Sequence, residues 1–127
     1  MNLFKIHRKE TRISRTEALQ CTPVKNMHVA EERLETGEIL LSYPVTSRPW
    51  IAGLAKRLGI PQDSSRLKKL QLDILGTTVW DMMDGRRTAS QIIQAFAEKY
   101  RLYPKESEVS VTRFLRELGK RGLIGLR

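Results

Sequence analysis

Residues 88–100 constrain this fold more than any other stretch. Thr88 followed by Gln91 has the spacing of a capping box, and Ala89, Ile92, Ile93, Phe96, Ala97 and Tyr100 recur at the intervals of a helix with one apolar face. Such a face is stable only when covered, so the chain must supply other elements with faces to match. Two neighbours do so. Asp73 stands at an N-cap position, with Leu75, Val79 and Met83 four apart and Leu72, Gly76 and Trp80 on an adjoining line; these predict a helix to about Met83, ended by Asp84 and Gly85. After Pro104, a third helix turns Val111, Phe114, Leu115 and Leu118 inward and ends near Gly122. The remaining Leu123, Ile124, Gly125 and Leu126 suit a short strand or a packed tail.

Upstream the periodicity changes. Met27 to Glu35 and Glu38 to Tyr43 read as two strands, the second carrying Ile39, Leu40 and Leu41, and Thr36 and Gly37 between them supply a hairpin turn. Arg66 to Leu72 alternates Leu67, Lys69 and Gln71 against Lys68, Leu70 and Leu72, the pattern of a half-buried strand. Between these strands an insertion, residues 44–65, carries Pro49 at a helix start, Trp50, Ile51, Leu54 and Leu58 at helical spacing, and Gly59 and Pro61 as stops. It is expected to form a short amphipathic helix that packs as a lid; contact with a partner or membrane surface through Trp50 is the alternative. Residues 1–25 look like a basic arm, in which Ser14 and Glu17 open a short helix through Ala18 and Leu19 that Pro23 stops.

With 127 residues there is room for one domain with a real core, here expected over residues 26–127. Of 23 basic and 14 acidic residues, six and two lie in residues 1–25, so the excess of +9 is densest in the arm and favours an acidic partner. No stretch approaches the roughly 20 apolar residues of a membrane span, and the charged N-terminus lacks the apolar run of a secretory signal, so a cytoplasmic location follows by default. The single cysteine, Cys21, excludes an internal disulfide and any paired-cysteine zinc pattern, and His7 and His28 are not spaced as metal ligands. No metal or other cofactor is expected. No serine, cysteine or histidine constellation suggests catalysis, and Asp81 and Asp84, near a helix end, read as solvated.

Strands followed by three helices and a small terminal strand outline an α+β winged helix-turn-helix. On that outline, the segment LQLDILGTTVWDMMDGRRTASQIIQAFAEKY with VTRFLRELGKRGLIGL downstream resembles the PqqD family. The resemblance rests on Leu72 and Asp73, Gly76, Val79 and Trp80, Asp84 and Gly85, Thr88, Phe114 and Leu115, and Arg121 to Ile124. These residues also have structural reasons of their own: Trp80 and Phe114 fill space between helices, Gly76 allows close approach, and Gly85 ends a helix at positive φ.

The resemblance implies a non-catalytic module that captures the leader of a ribosomally synthesised precursor peptide and presents the peptide to a modifying enzyme, often a radical SAM protein. The implied means is strand addition. It would place the leader on an edge strand formed by Arg66, Leu67, Lys68, Lys69, Leu70, Gln71 and Leu72, across from Arg113, Arg116 and Lys120 on the third helix, a basic groove suited to an acidic leader. Solvated helix cations and lysines that guard an edge against aggregation are the ordinary readings of the same residues. DNA binding is the main competitor, since winged helices with basic third helices often enter the major groove. The expected face of that helix, however, has no Asn or Gln for base edges and carries Glu117. An adaptor that has lost leader binding is a further alternative.

Overall fold

The computed structural model describes residues 14–44 and 67–127. The expected helix around Trp50, residues 1–13 of the arm and Arg66 lie outside the described residues. In chain order the elements are α1 (Arg15–Gln20), β1 (Pro23–Lys25), β2 (Ala30–Arg33), β3 (Ile39–Pro44), β4 (Leu67–Gln71), α2 (Ile74–Met82), α3 (Ala89–Tyr100), α4 (Pro104–Lys120) and β5 (Ile124–Leu126). Two compact units emerge: Met1–Lys25 with Thr78–Arg127, and Asn26–Thr77.

This order departs from the expected one. The short helix expected from Ser14 and Glu17 is present, but a strand follows it before the hairpin, and the strands divide between two antiparallel sheets, β1-β5 and β2-β3-β4. The terminal strand pairs with β1, not with the three-stranded sheet. The architecture is therefore mixed α+β, and the arm expected over residues 1–25 contributes α1 and β1 to the helical unit.

Local chemistry explains the start of α1, α3 and α4 and the end of α4. The Ser14 hydroxyl accepts from the Glu17 N–H at 3.1 Å and starts α1. At α3 the capping box is complete: the Thr88 hydroxyl accepts from the Gln91 N–H and the Gln91 side chain accepts from the Thr88 N–H, at 3.2 and 2.9 Å. Before it, the Asp84 carboxylate accepts from the N–H groups of Arg86 and Arg87, both at 2.9 Å. Those two bonds hold the Asp84 carboxyl below its ordinary range. Pro104 occupies the first turn of α4, where its missing N–H costs nothing. The same helix ends in a Schellman motif: Leu123 N–H donates to Leu118 O and Gly122 N–H to Gly119 O, both at 3.0 Å, with Gly122 at φ 75°.

The core of the helical unit gathers Val79 and Trp80 from α2 with Met83 just beyond it, Ile92, Ile93 and Phe96 from α3, Val111, Leu115 and Leu118 from α4, and Leu123 and Ile124. Trp80 is fully buried with the Lys25 ammonium 4.8 Å from its ring centroid, a cation–π contact that ties β1 to the core. The Ser107 hydroxyl donates to Ile93 O at 2.6 Å and so joins α3 to α4. Glu108, its side chain only 11% exposed, pairs with Arg15 at the start of α1 and with Lys105 at 3.4 Å. The Arg15 hydrogen bond is the first cause of a carboxyl held below the usual glutamate range.

In the other unit, β2 and β3 form the expected hairpin. Gly37 N–H donates to Leu34 O at 2.9 Å, Leu34 N–H donates to Glu38 O at 2.8 Å, and Gly37 takes φ 90°, the left-handed position that a three-residue hairpin loop assigns to glycine. Central strand β3 buries Ile39, Leu41 and Tyr43 on one face. Where the β3–β4 ladder ends, the buried Thr77 hydroxyl accepts from Ile39 N–H at 3.1 Å and lies 3.5 Å from Leu72 O, completing a pairing that the backbone alone leaves open.

Candidate functional site

The sequence places two lysines and two leucines on a short strand, and the structure makes that strand an edge. In the order β2-β3-β4, β4 pairs antiparallel with β3, and no further strand among the described residues pairs with it. The register sets Leu67 opposite Pro44, Lys68 opposite Tyr43, Lys69 opposite Ser42, Leu70 opposite Leu41 and Gln71 opposite Leu40. Directly opposed residues share a face. Lys68 and Leu70 therefore extend the face that buries Tyr43 and Leu41, while Leu67, Lys69 and Gln71 lie on the reverse face.

The direction of the backbone groups follows from one bond. Leu72 N–H donates to Ile39 O at 2.8 Å. Alternation along an antiparallel ladder then turns the amides and carbonyls of Leu70 and Lys68 toward β3, and those of Gln71, Lys69 and Leu67 outward. The outer margin thus presents donors and acceptors in the repeat that an incoming strand needs.

The expected site residues fall into three groups. Leu67 (52% exposed), Lys68, Lys69 and Gln71 are exposed on β4, and Leu70 is half-buried. Leu72 lies one residue past the strand and is buried, so its side chain belongs to the core and its N–H to β3. Arg113, Arg116 and Lys120 are exposed on α4, in the helical unit, with the exposed Glu117 among them.

Two exposed apolar residues of the sheet-bearing unit were not foreseen. Ile74 and Leu75, at the start of α2, are 50% and 49% exposed, although the four-residue spacing suggested that Leu75 faces inward. The inward side of α2 is centred on Gly76, Val79 and Trp80, and at 100° per residue Leu75 sits about 90° away from it. The phase of the whole stripe, with Gly76 included, carries that signal; the Leu75–Val79 interval alone does not.

Among the described residues, no group of three or more His, Cys, Asp or Glu side chains is arranged to hold a metal ion, and no helix is long and apolar enough to cross a membrane. What the β4 margin offers is main-chain pairing with positive charge at two adjacent positions.

Residues 63–124 match the model of a protein family described as "Coenzyme PQQ synthesis protein D (PqqD)". That span includes β4, all of α2, α3 and α4, and the first residue of β5. No curated protein and no solved structure matches the chain.

Proposed function

From the premise that this chain belongs to the PqqD family through residues 63–124, and so has an accessory role in making PQQ or another peptide-derived product, we propose that it is a non-catalytic peptide carrier. It captures the leader of a ribosomally synthesised precursor by strand addition to β4 and presents the peptide to a modifying enzyme of the radical SAM type in the cytoplasm. The observation that carries this reading is the five-residue margin of β4, whose outward amides at Lys69 and Gln71 stand on the side away from β3. Arg113, Arg116 and Lys120 add positive potential that favours an acidic leader at long range.

The test uses fluorescent leader segments encoded by short reading frames beside the gene, titrated with the full chain at low and high salt. Lys69→Pro removes an outward donor and leaves the β3 ladder intact; a single hydrogen bond and the ring's steric bulk together are worth roughly tenfold in affinity. Leu70→Pro, by contrast, removes an inward donor, and its expected outcome is a lower melting temperature. Saturable binding that persists in high salt and weakens roughly tenfold in Lys69→Pro supports strand addition. Salt-sensitive retention on duplex DNA without peptide binding overturns it in favour of a nucleic-acid role.

A further inference from the structure

The register of β4 specifies what kind of peptide the edge accepts. This inference rests on strand addition and goes further, to the order of side chains in the bound segment. An added strand places one residue opposite each residue of β4, and opposed residues share a face. Opposite Leu70, an apolar residue continues the face on which Leu41 is buried. Opposite Leu67, on the reverse face, an apolar residue covers a side chain that is half in water. Between these two positions stand Lys68 and Lys69, both exposed, whose neighbours across β3 are Tyr43 and Ser42. Neither lysine faces a carboxylate across that ladder, so an acidic residue on an added strand would meet positive charge that β3 does not neutralise.

We infer that the ligand of the β4 edge is an extended peptide containing two consecutive acidic residues flanked on each side by an apolar residue. The four-residue order reads the same in both directions, so it holds whichever way the peptide runs. Charge also selects which edge of the sheet is used. The opposite margin, β2, carries Glu31 and Glu32, and the same peptide would meet like charge there. The alternation matters as much as the charge: consecutive acids fall on opposite faces, one for each lysine, whereas acids two apart would share a face and leave one lysine unmatched.

The test uses the full chain and three labelled synthetic peptides, identical outside their cores, which are Val-Asp-Asp-Val, Asp-Val-Val-Asp and Val-Lys-Lys-Val. Fluorescence anisotropy gives each affinity. An opposite-charge cross-strand pair is worth about threefold, so Val-Asp-Asp-Val is expected to bind roughly tenfold tighter than its rearranged isomer and tighter still than the lysine core. The double substitution Lys68→Glu with Lys69→Glu, both at exposed positions, is expected to reverse the order and prefer Val-Lys-Lys-Val. Equal binding of the three cores, with Lys69→Pro still weakening all of them, overturns the acidic motif and leaves strand addition standing. Binding indifferent to Lys69→Pro, or no saturable binding of any core or leader, overturns strand addition and the motif with it.

Discussion

The two-stranded sheet β1-β5 and the three-stranded sheet β2-β3-β4 are both small and antiparallel, yet they treat their margins differently. Strands β1 and β5 have three residues each, β1 begins with the buried Pro23, and the Thr22–Arg127 pair closes the end of the ladder with two bonds of 2.9 Å. The Arg127 side chain then donates to Gly85 O at 2.7 Å, fixing the chain end to the turn before α3. Strand β4 has five residues, no proline, and lysines at two adjacent positions. Short strands and proline close an edge; lysines deter chance pairing with an apolar strand while leaving the backbone available. Among the described residues, one sheet is thus sealed at its ends while the other leaves the outer margin of β4 without a pairing strand.

Three substitutions or conditions test that contrast. The largest effect is expected for Trp80→Ala, which empties the centre of the closed unit and should cost about 3–5 kcal/mol. Hydrogen exchange should show α3, α4 and β1-β5 losing protection. If the amides of β3 keep theirs, the two units melt separately; if they fail together, the contrast holds within one cooperative structure. Thr77→Val comes next, because it strands the buried Ile39 N–H at the end of the open sheet, at a cost of about 1–3 kcal/mol. Thr77→Ser should restore most of the loss, and faster exchange at Ile39 in the valine variant alone would locate it; equal exchange in both variants would mean that the hydroxyl does not hold the ladder.

Acidification gives the smallest effect. The folded-state carboxyl of Glu108 is lowered, first by its hydrogen bond to Arg15, so its contribution is complete above the ordinary glutamate range and lost as pH falls through the lowered value. Amides of α1 should therefore lose protection in acid, below the pH at which an ordinary glutamate titrates, before those of β4 respond. Glu108→Gln should remove this pH dependence, and a helix that stays equally protected through the titration would show that the ion pair does not hold α1.

Much of the local structure was legible before any coordinates. The capping box of Thr88 and Gln91, the hairpin glycine at 37, the stop at Gly122 and the alternation in residues 67–72 all act within a few residues of themselves, so the chain states them directly. The same holds for the resemblance to the PqqD family, read from Trp80, Gly85, Thr88 and the closing residues 121–124, and a model of that family matches residues 63–124. The candidate edge was legible as a strand with lysines on it, but not as an edge with a direction.

Pairing is where local reading ends. Pro23 meets Leu126 across about a hundred residues of chain, and nothing near either residue announces the other, so the arm, whose short helix Ser14 and Glu17 announce, turned out to supply a strand as well. Leu72 stood among the contact residues that the family resemblance implied, but its N–H donates to Ile39 O and its side chain is buried. Which amides of β4 face outward depends on which residue of β3 lies opposite, and a shift of one residue would exchange every face and every donor. The sequence by itself therefore determined the helices, their ends and the charge of the candidate strand, because these depend on neighbours along the chain. Only the tertiary structure decided the partner of each strand, and with it the side of β4 that no other described strand pairs with.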